Sequence, residues 1–267
     1  MQQRMLGRTG IEVSVLGLGT VKLGRNRGVK YPRGFDLPDD DAVRRLLDTA
    51  ADCGINLIDT APAYGASESR LGALLPGRRE DWVLATKAGE DFDGEQSHFD
   101  FRPEAIRASA ERSRANLRVD VLDVLLIHSD GSDLDLIERA GVLEVLADLK
   151  AEGLIRTGGM STKTAEGARR AIERGADVLM LALSPADRSQ LDVIRTALAR
   201  GVGVLIKKAL ESGHAAARSD TPDPVRTALD FVYAAAPVSS VVVGTLNPDH
   251  LRRNAAAAQA AATAPGT

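Results

Sequence analysis

The chain has 267 residues, 44% of them hydrophobic and 27% charged, with a formal net charge of −3. That is globular composition, and no stretch approaches the roughly 18 unbroken apolar residues of a membrane span. The balance of 34 Lys+Arg against 37 Asp+Glu argues against a nucleic-acid partner, and a single cysteine, Cys53, excludes a disulfide framework or a cysteine-based metal cluster.

In chain order, short apolar runs alternate with longer amphipathic stretches. Strands are predicted at 15–20, 56–61, 82–87, 121–129, 155–161, 178–184, 203–209 and 239–245. Runs such as VLDVLLIH and DVLMLALS are almost continuously apolar, as befits strands of a parallel sheet buried on both faces. Helices are predicted at 39–53, 67–75, 103–117, 134–150, 164–174, 190–200, 222–235 and 248–261. Pro103 and Pro248 suit a first helical turn, Ser67 and Thr164 suit N-caps, and Gly54, Gly153, Gly175 and Gly201 follow helical segments as C-terminal caps do. Cys53 falls on an apolar helical face and is expected in the core, while 259–267 reads as a fraying tail. Met1–Gly10 lacks the apolar run of a secretory signal, which with the lone cysteine points to the cytoplasm, away from any membrane.

Eight strand–helix units in 267 residues is about 33 residues per unit, the proportion of a (β/α)8 TIM barrel. The expected fold is therefore α/β, a single barrel domain over 1–267. The rival is a doubly wound open sheet, which binds a dinucleotide through G-x-G-x-x-G after its first strand. The nearest candidate, Gly17-Leu18-Gly19, has Lys22 where the third glycine belongs, and no phosphate-binding G-x-x-x-x-G-K-[ST] occurs.

Barrel chemistry belongs at the C-terminal ends of the strands. The second strand runs into Asp59-Thr60-Ala61-Pro62-Ala63-Tyr64-Gly65, the third ends in Thr86-Lys87 and the fourth in Ile127-His128-Ser129. Taken singly, an Asp there caps a turn, a Lys is solvated and a His sits satisfied in the core. Asp59, Tyr64, Lys87 and His128 on three successive strand ends form a more specific signal, because adjacent ends are neighbours.

These residues and their surroundings resemble the aldo-keto reductase family. The similarity covers LGRTGIEVS at Leu6–Ser14 with LGLGT at Leu16–Thr20, then DTAPAYG at Asp59–Gly65 with Ser67-Glu68 and Leu71-Gly72. It continues through Thr86-Lys87, DVLLIH at Asp123–His128, GGMS at Gly158–Ser161 and Val243-Gly244-Thr245 to Asn254. The resemblance implies an N-terminal β-hairpin ahead of the barrel, a very short C-terminal extension, and reversible interconversion of a carbonyl (aldehyde, ketone or sugar) and an alcohol. In that reading Tyr64 is the proton donor, Lys87 lowers the pKa of its phenol, Asp59 holds Lys87 charged, and His128 places the substrate oxygen. The hydride comes from a nicotinamide cofactor, since no side chain donates one. NADP(H) is expected over NAD(H), and no metal.

For the cofactor, the resemblance points to Gly19, Thr20, Ser161, Lys207, Gly244, Thr245, His250 and Asn254. Three positions depart from the family pattern: Thr162 replaces an Asn, Met180 a Gln and Lys207 an aromatic residue around the nicotinamide. Thr245, at the start of the last helix, His250 and Arg253 supply groups suited to a ribose 2′-phosphate; the plainer reading of Arg252 and Arg253 is a solvated helix face. Strand alternation puts Lys207 inside the mouth, where it should meet an anion, and Lys208 against the surrounding helices.

Two loops bear on the substrate. Arg25–Pro38 interleaves Arg25, Arg27, Lys30 and Arg33 with Tyr31 and Phe35, and Glu90–Arg102 carries Phe92, Phe99 and Phe101. They read either as a basic, aromatic lid over an anionic or sugar-like small molecule or as solvated loops whose phenylalanines pack onto the barrel. The nearly absent C-terminal loop implies an open pocket and a broad or bulky substrate range. Two further readings stay open: a catalytically weak cofactor-sensing or partner-binding protein, favoured by the altered nicotinamide positions, and a lyase using Lys207 or Lys208 as a Schiff-base amine.

Overall fold

The computed structural model describes residues 1–75, 79–214 and 221–264. A hairpin of β1 (Gln3–Met5) and β2 (Glu12–Ser14) leads into β3 (Leu16–Gly19), β4 (Leu57–Asp59) and β5 (Val83–Ala88). A second hairpin, β6 (Glu90–Phe92) and β7 (Ser97–Phe99), precedes β8 (Leu122–His128), β9 (Ile155–Ser161), β10 (Val178–Ala182), β11 (Gly203–Lys207) and β12 (Ser240–Val243). The order β3-β4-β5-β8-β9-β10-β11-β12 is parallel throughout, and β12 pairs back with β3 to close a (β/α)8 barrel. All eight predicted strands are present, each within its predicted span or one residue beyond it.

The helices are α1 (Val21–Gly24), α2 (Asp40–Asp52), α3 (Ser67–Leu74), α4 (Pro103–Leu117), α5 (Asp133–Glu138), α6 (Val142–Ala151), α7 (Ala165–Glu173), α8 (Leu191–Ala199), α9 (Pro224–Ala235) and α10 (Pro248–Thr263). Proline opens α4, α9 and α10, where its missing N–H has no helical partner to lose. Thr164 caps α7 by accepting from Gly167 N at 3.0 Å. Gly54, Gly153, Gly175 and Gly201 take the left-handed conformation that ends their helices.

Four local expectations change. The single helix expected at 134–150 is two, α5 and α6, because Gly141 turns left-handed (φ 65°) between them. Ser67 is the first residue of α3 and not its cap; its hydroxyl is bonded to Thr20 and Thr60. Cys53 is the half-buried C-cap of α2, packed against the core from outside. The tail is helical as far as Thr263, with Gln259 accepting from Gln2 N at 2.6 Å; 265–267 lie outside the described residues.

Strand alternation divides the core in two. Leu57, Val83, Ala85, Val124, Leu126, Val178, Met180 and Leu205 point into the barrel, and Leu6, Ile11 and Val13 plug its lower end. That plug needs close backbone approach: at Gly7 (φ 59°) a Cβ would stand 2.3 Å from Gly203 N. Residues of opposite parity, such as Leu16, Ile58, Leu84, Leu125 and Ile206, pack against the helices. The interior rows advance by two, from Leu57 to 59, from Ala85 to 87, from Leu126 to 128 and from Leu205 to 207. Asp59, Lys87, His128 and Lys207 are therefore the next inward positions above an apolar plug.

Candidate active site

A cavity of about 470 Å³ opens at this upper end. Gly19, Thr20, Asp59, Tyr64, Lys87, His128, Ser161, Met180, Lys207 and Gly244 all line it, so ten residues singled out from sequence share one wall.

Tyr64 arrives on a 3-10 turn, Pro62–Tyr64, that folds back from β4. Gly24 at the end of α1 lets the turn approach: a Cβ there would sit 2.3 Å from the Tyr64 carbonyl oxygen. Lys87 is 1% exposed. Its Nζ donates to Asp59 Oδ1 at 2.5 Å and to Thr60 O at 2.8 Å. It also lies 4.7 Å from the centre of the Tyr64 ring. Tyr64 Oη donates to Asp59 Oδ2 at 3.4 Å, so one carboxylate is shared by ammonium and phenol.

On balance the Tyr64 phenol is not made more acidic in this site. Burial raises the phenol's pKa well above its ordinary value, and the charges of Asp59, Tyr31 and Glu90 and the hydrogen bond to Asp59 push the same way. Lys87 is paired with Asp59, whose other oxygen accepts the phenol's hydrogen bond. Tyr64 thus holds its proton firmly.

His128 meets the Tyr64 ring edge-on, with centroids 6.3 Å apart. Its Nδ1 is 2.8 Å from Glu90 Oε2. Glu90 is not among the site residues singled out from sequence. It follows Lys87, Ala88 and Gly89 and opens β6. An acidic residue so close behind a strand-end lysine is the signal that could have found it. Burial alone would raise the Glu90 carboxyl. The close contact and charge of His128, the Ser97 hydroxyl and the charge of Arg25 outweigh it and hold the pKa at about 2. For His128 burial dominates and lowers the pKa, with Glu90 opposing and Lys87 and Lys207 adding to the fall.

Lys207 is inward as expected, but no carboxylate pairs with it among the described residues. Its Nζ donates to Ser161 Oγ and Thr162 O, each at 2.8 Å. Burial, then the charges of Lys208 and Lys87, bring its pKa down to about 7. Lys208 does not face the helices. The strand ends at Lys207, and Lys208 turns left-handed (φ 60°), which exposes it and brings it to the same cavity.

The two loops place aromatic rings both at the cavity and on the barrel. Lys22 lies 4.2 Å from the Tyr31 ring centre, and Tyr31 packs edge-on against Phe35. Burial, then the charge of Asp59, pushes the Tyr31 phenol up to about 12. Phe99 lines the cavity, whereas Phe101 packs onto the barrel.

The cofactor residues fall into two groups. Gly19, Ser161, Lys207 and Gly244 border the cavity, and a Cβ on Gly244 would stand 3.2 Å from the Gly19 carbonyl oxygen and 3.7 Å from Tyr31 Oη. Thr20 also borders it, but its hydroxyl is turned to Asp59 O and Ser67. Thr245, His250 and Asn254 lie outside the cavity wall. Thr245 is not the cap of α10; Asn247 is, accepting from Asp249 N and His250 N. Asn254 is buried, His250 exposed, and Arg252 is paired with Asp249 at 2.9 Å. Gly19, Gly244, Lys22, Lys207 and Lys208 all line the cavity. Among the described residues there is no His, Cys, Asp and Glu cluster able to hold a metal ion, and no helix long and apolar enough to cross a membrane.

Comparison with known proteins gives one family. The model of the Aldo/keto reductase family matches residues 15–228. The crystal structure of a Pseudomonas aeruginosa protein assigned to the aldo-keto reductases superposes with a TM-score of 0.87 at 49% identity, covering 97% of this chain and 95% of that one. The chain is 29% identical to L-galactose dehydrogenase of Arabidopsis thaliana, over 96% of this chain and 88% of the relative. It is 32% identical to the NADH-specific methylglyoxal reductase of Escherichia coli, over 80% of this chain and 68% of the relative.

Proposed function

Because the chain belongs to the aldo/keto reductase family, we propose that it is a cytoplasmic, single-domain oxidoreductase interconverting a small aldehyde, ketone or sugar and the corresponding alcohol with NADP(H). The observation that carries this reading is the sharing of Asp59 by Tyr64 and Lys87 on the floor of the cavity that His128 also lines.

A nicotinamide cofactor, when bound, supplies the hydride that no side chain can. Gly19, Ser161, Lys207 and Gly244 would hold it, with Lys207 and Lys208 facing its negative charge. His128 hydrogen-bonds the substrate oxygen and sets it beside the Tyr64 hydroxyl. Tyr64 then gives its proton to that oxygen as negative charge develops there. Its high pKa does not prevent this, because an alkoxide is a far stronger base than a phenolate. Lys87, against the ring face, stabilises the phenolate that remains, and Asp59 fixes Lys87 in that place.

The cofactor-sensing reading keeps one specific support: Met180 and Lys207 line the cavity at positions where the family pattern has Gln and an aromatic residue. Steady-state reduction of methylglyoxal and of an aldose panel with NADPH separates the two. Turnover that depends on Tyr64 supports the enzyme, and cofactor binding without turnover of any carbonyl supports the sensor.

A further inference from the structure

The hairpin after β5 carries a carboxylate whose position the catalytic reading does not require. Glu90 Oε2 lies 2.8 Å from His128 Nδ1, an ion-pair contact off the line of the ring N–H, and that buried nitrogen has no in-line hydrogen-bond partner among the described residues. The carboxylate is itself held. Arg25 Nη1 is 3.9 Å from its other oxygen, and Ser97 hydrogen-bonds it from β7.

Arg25 is buried and heavily tied. It donates to Ala63 O at 2.9 Å and to Ser97 Oγ at 3.1 Å, and its guanidinium lies 3.8 Å from the centre of the Phe92 ring. A surface ion pair would have none of this support.

We propose that Glu90 is the positioning residue for His128: its carboxylate, 2.8 Å from Nδ1, favours the proton on that nitrogen, so that Nε2 is the nitrogen presented to substrate. The inference rests on the carbonyl–alcohol reading above. A neutral imidazole held this way has a bare Nε2, which accepts a hydrogen bond from the alcohol in the oxidation direction and places its oxygen at Tyr64. When protonated, the same nitrogen donates to a carbonyl oxygen in reduction. A carboxylate behind the ring fixes the tautomer and stabilises the imidazolium, the service an aspartate gives the histidine of a hydrolytic triad.

The groups facing His128 set the sign. Lys87 of β5 and Lys207 of β11 oppose its protonation; Glu90 of β6 favours it, with Arg25 partly offsetting Glu90 from behind; Tyr64 is uncharged. Removing the Glu90 charge leaves two lysines unopposed, so the His128 pKa falls.

The test is a pH titration of the full-length, ¹⁵N-labelled protein, following its histidine side chains by NMR. The four histidines are resolved with His128→Asn as the assignment control. In the wild type, neutral His128 should show the Nδ1–H tautomer. In Glu90→Gln its pKa should fall by about one unit or more, the size of a lost neighbouring charge. Glu90→Asp, which keeps the charge, should recover most of the shift, and thermal unfolding of each variant checks that the hairpin stays folded. Alcohol oxidation is read alongside: Glu90→Gln should lower kcat about tenfold or more and move the acid limb of the pH profile downward, with KM for the cofactor unchanged. An unchanged His128 titration and tautomer in Glu90→Gln overturns the proposal, as does an unchanged oxidation profile. The NMR arm needs no turnover, so a protein inactive on every carbonyl would fail the functional reading and still decide this one.

Discussion

Asp59 and Lys87 form a buried pair, 2.5 Å apart, and the free oxygen of that carboxylate takes the Tyr64 hydroxyl. Two charges taken out of water on the strand ends β4 and β5 are stable only together. The pair therefore has a structural and a chemical role at once. Lys87→Met should destabilise the fold by about 3–5 kcal/mol, the usual result of leaving one charge of a buried pair uncompensated. Denaturant unfolding measures it; a loss below about 1 kcal/mol would mean that Asp59 is not charged and buried as described.

Lys207 should make cofactor affinity depend on pH. With its pKa at about 7, its charge is present below neutrality and lost above. Affinity for the anionic cofactor is expected to weaken as pH rises from about 6 to about 8.5, by no more than about tenfold per unit for one proton. In Lys207→Met that dependence should flatten. Stability has its own sign: the folded pKa lies below the ordinary 10.5, so the cost of burying the charge is full below about 7 and is relieved as pH rises towards 10.5. Fluorescence titrations of the cofactor at a series of pH values provide the check on affinity.

Cofactor choice is expected to favour NADPH over NADH. His250 and Arg253 are exposed on the first turns of α10, available to a ribose 2′-phosphate, whereas Arg252 is held by Asp249. The preference should shrink in Arg253→Ala and at high salt. Equal affinities for the two cofactors at low ionic strength would contradict it.

The barrel is legible in the sequence because its strands are apolar on both faces and several of its helices end on glycine, signals that act residue by residue. The strand-end residues are legible for the same reason: Asp59, Lys87 and His128 each close an apolar run at inward parity. What escapes the sequence depends on contacts between distant segments. That burial and the shared Asp59 carboxylate set the direction of the Tyr64 pKa follows from contacts that are not written in either strand. Strand alternation carried one residue past the end of β11 misplaces Lys208, which leaves the strand in a left-handed turn. Glu90 and Arg25 sit on separate loops and meet only once both close over the barrel. Thr245 stands before the last helix and not at its first turn; the folded backbone shows that Asn247 takes the helix N–H groups.

The assignment of the proton to Tyr64 is the claim on which the proposed reaction stands, and Tyr64→Phe tests it most directly. The substitution removes one hydroxyl and leaves the Lys87–Asp59 pair in place. Carbonyl reduction with NADPH should fall by about 10²–10⁴-fold, the range for loss of a general acid, while NADPH affinity stays close to that of the wild type. Near-normal turnover by Tyr64→Phe on an aldehyde that the wild type reduces would contradict it.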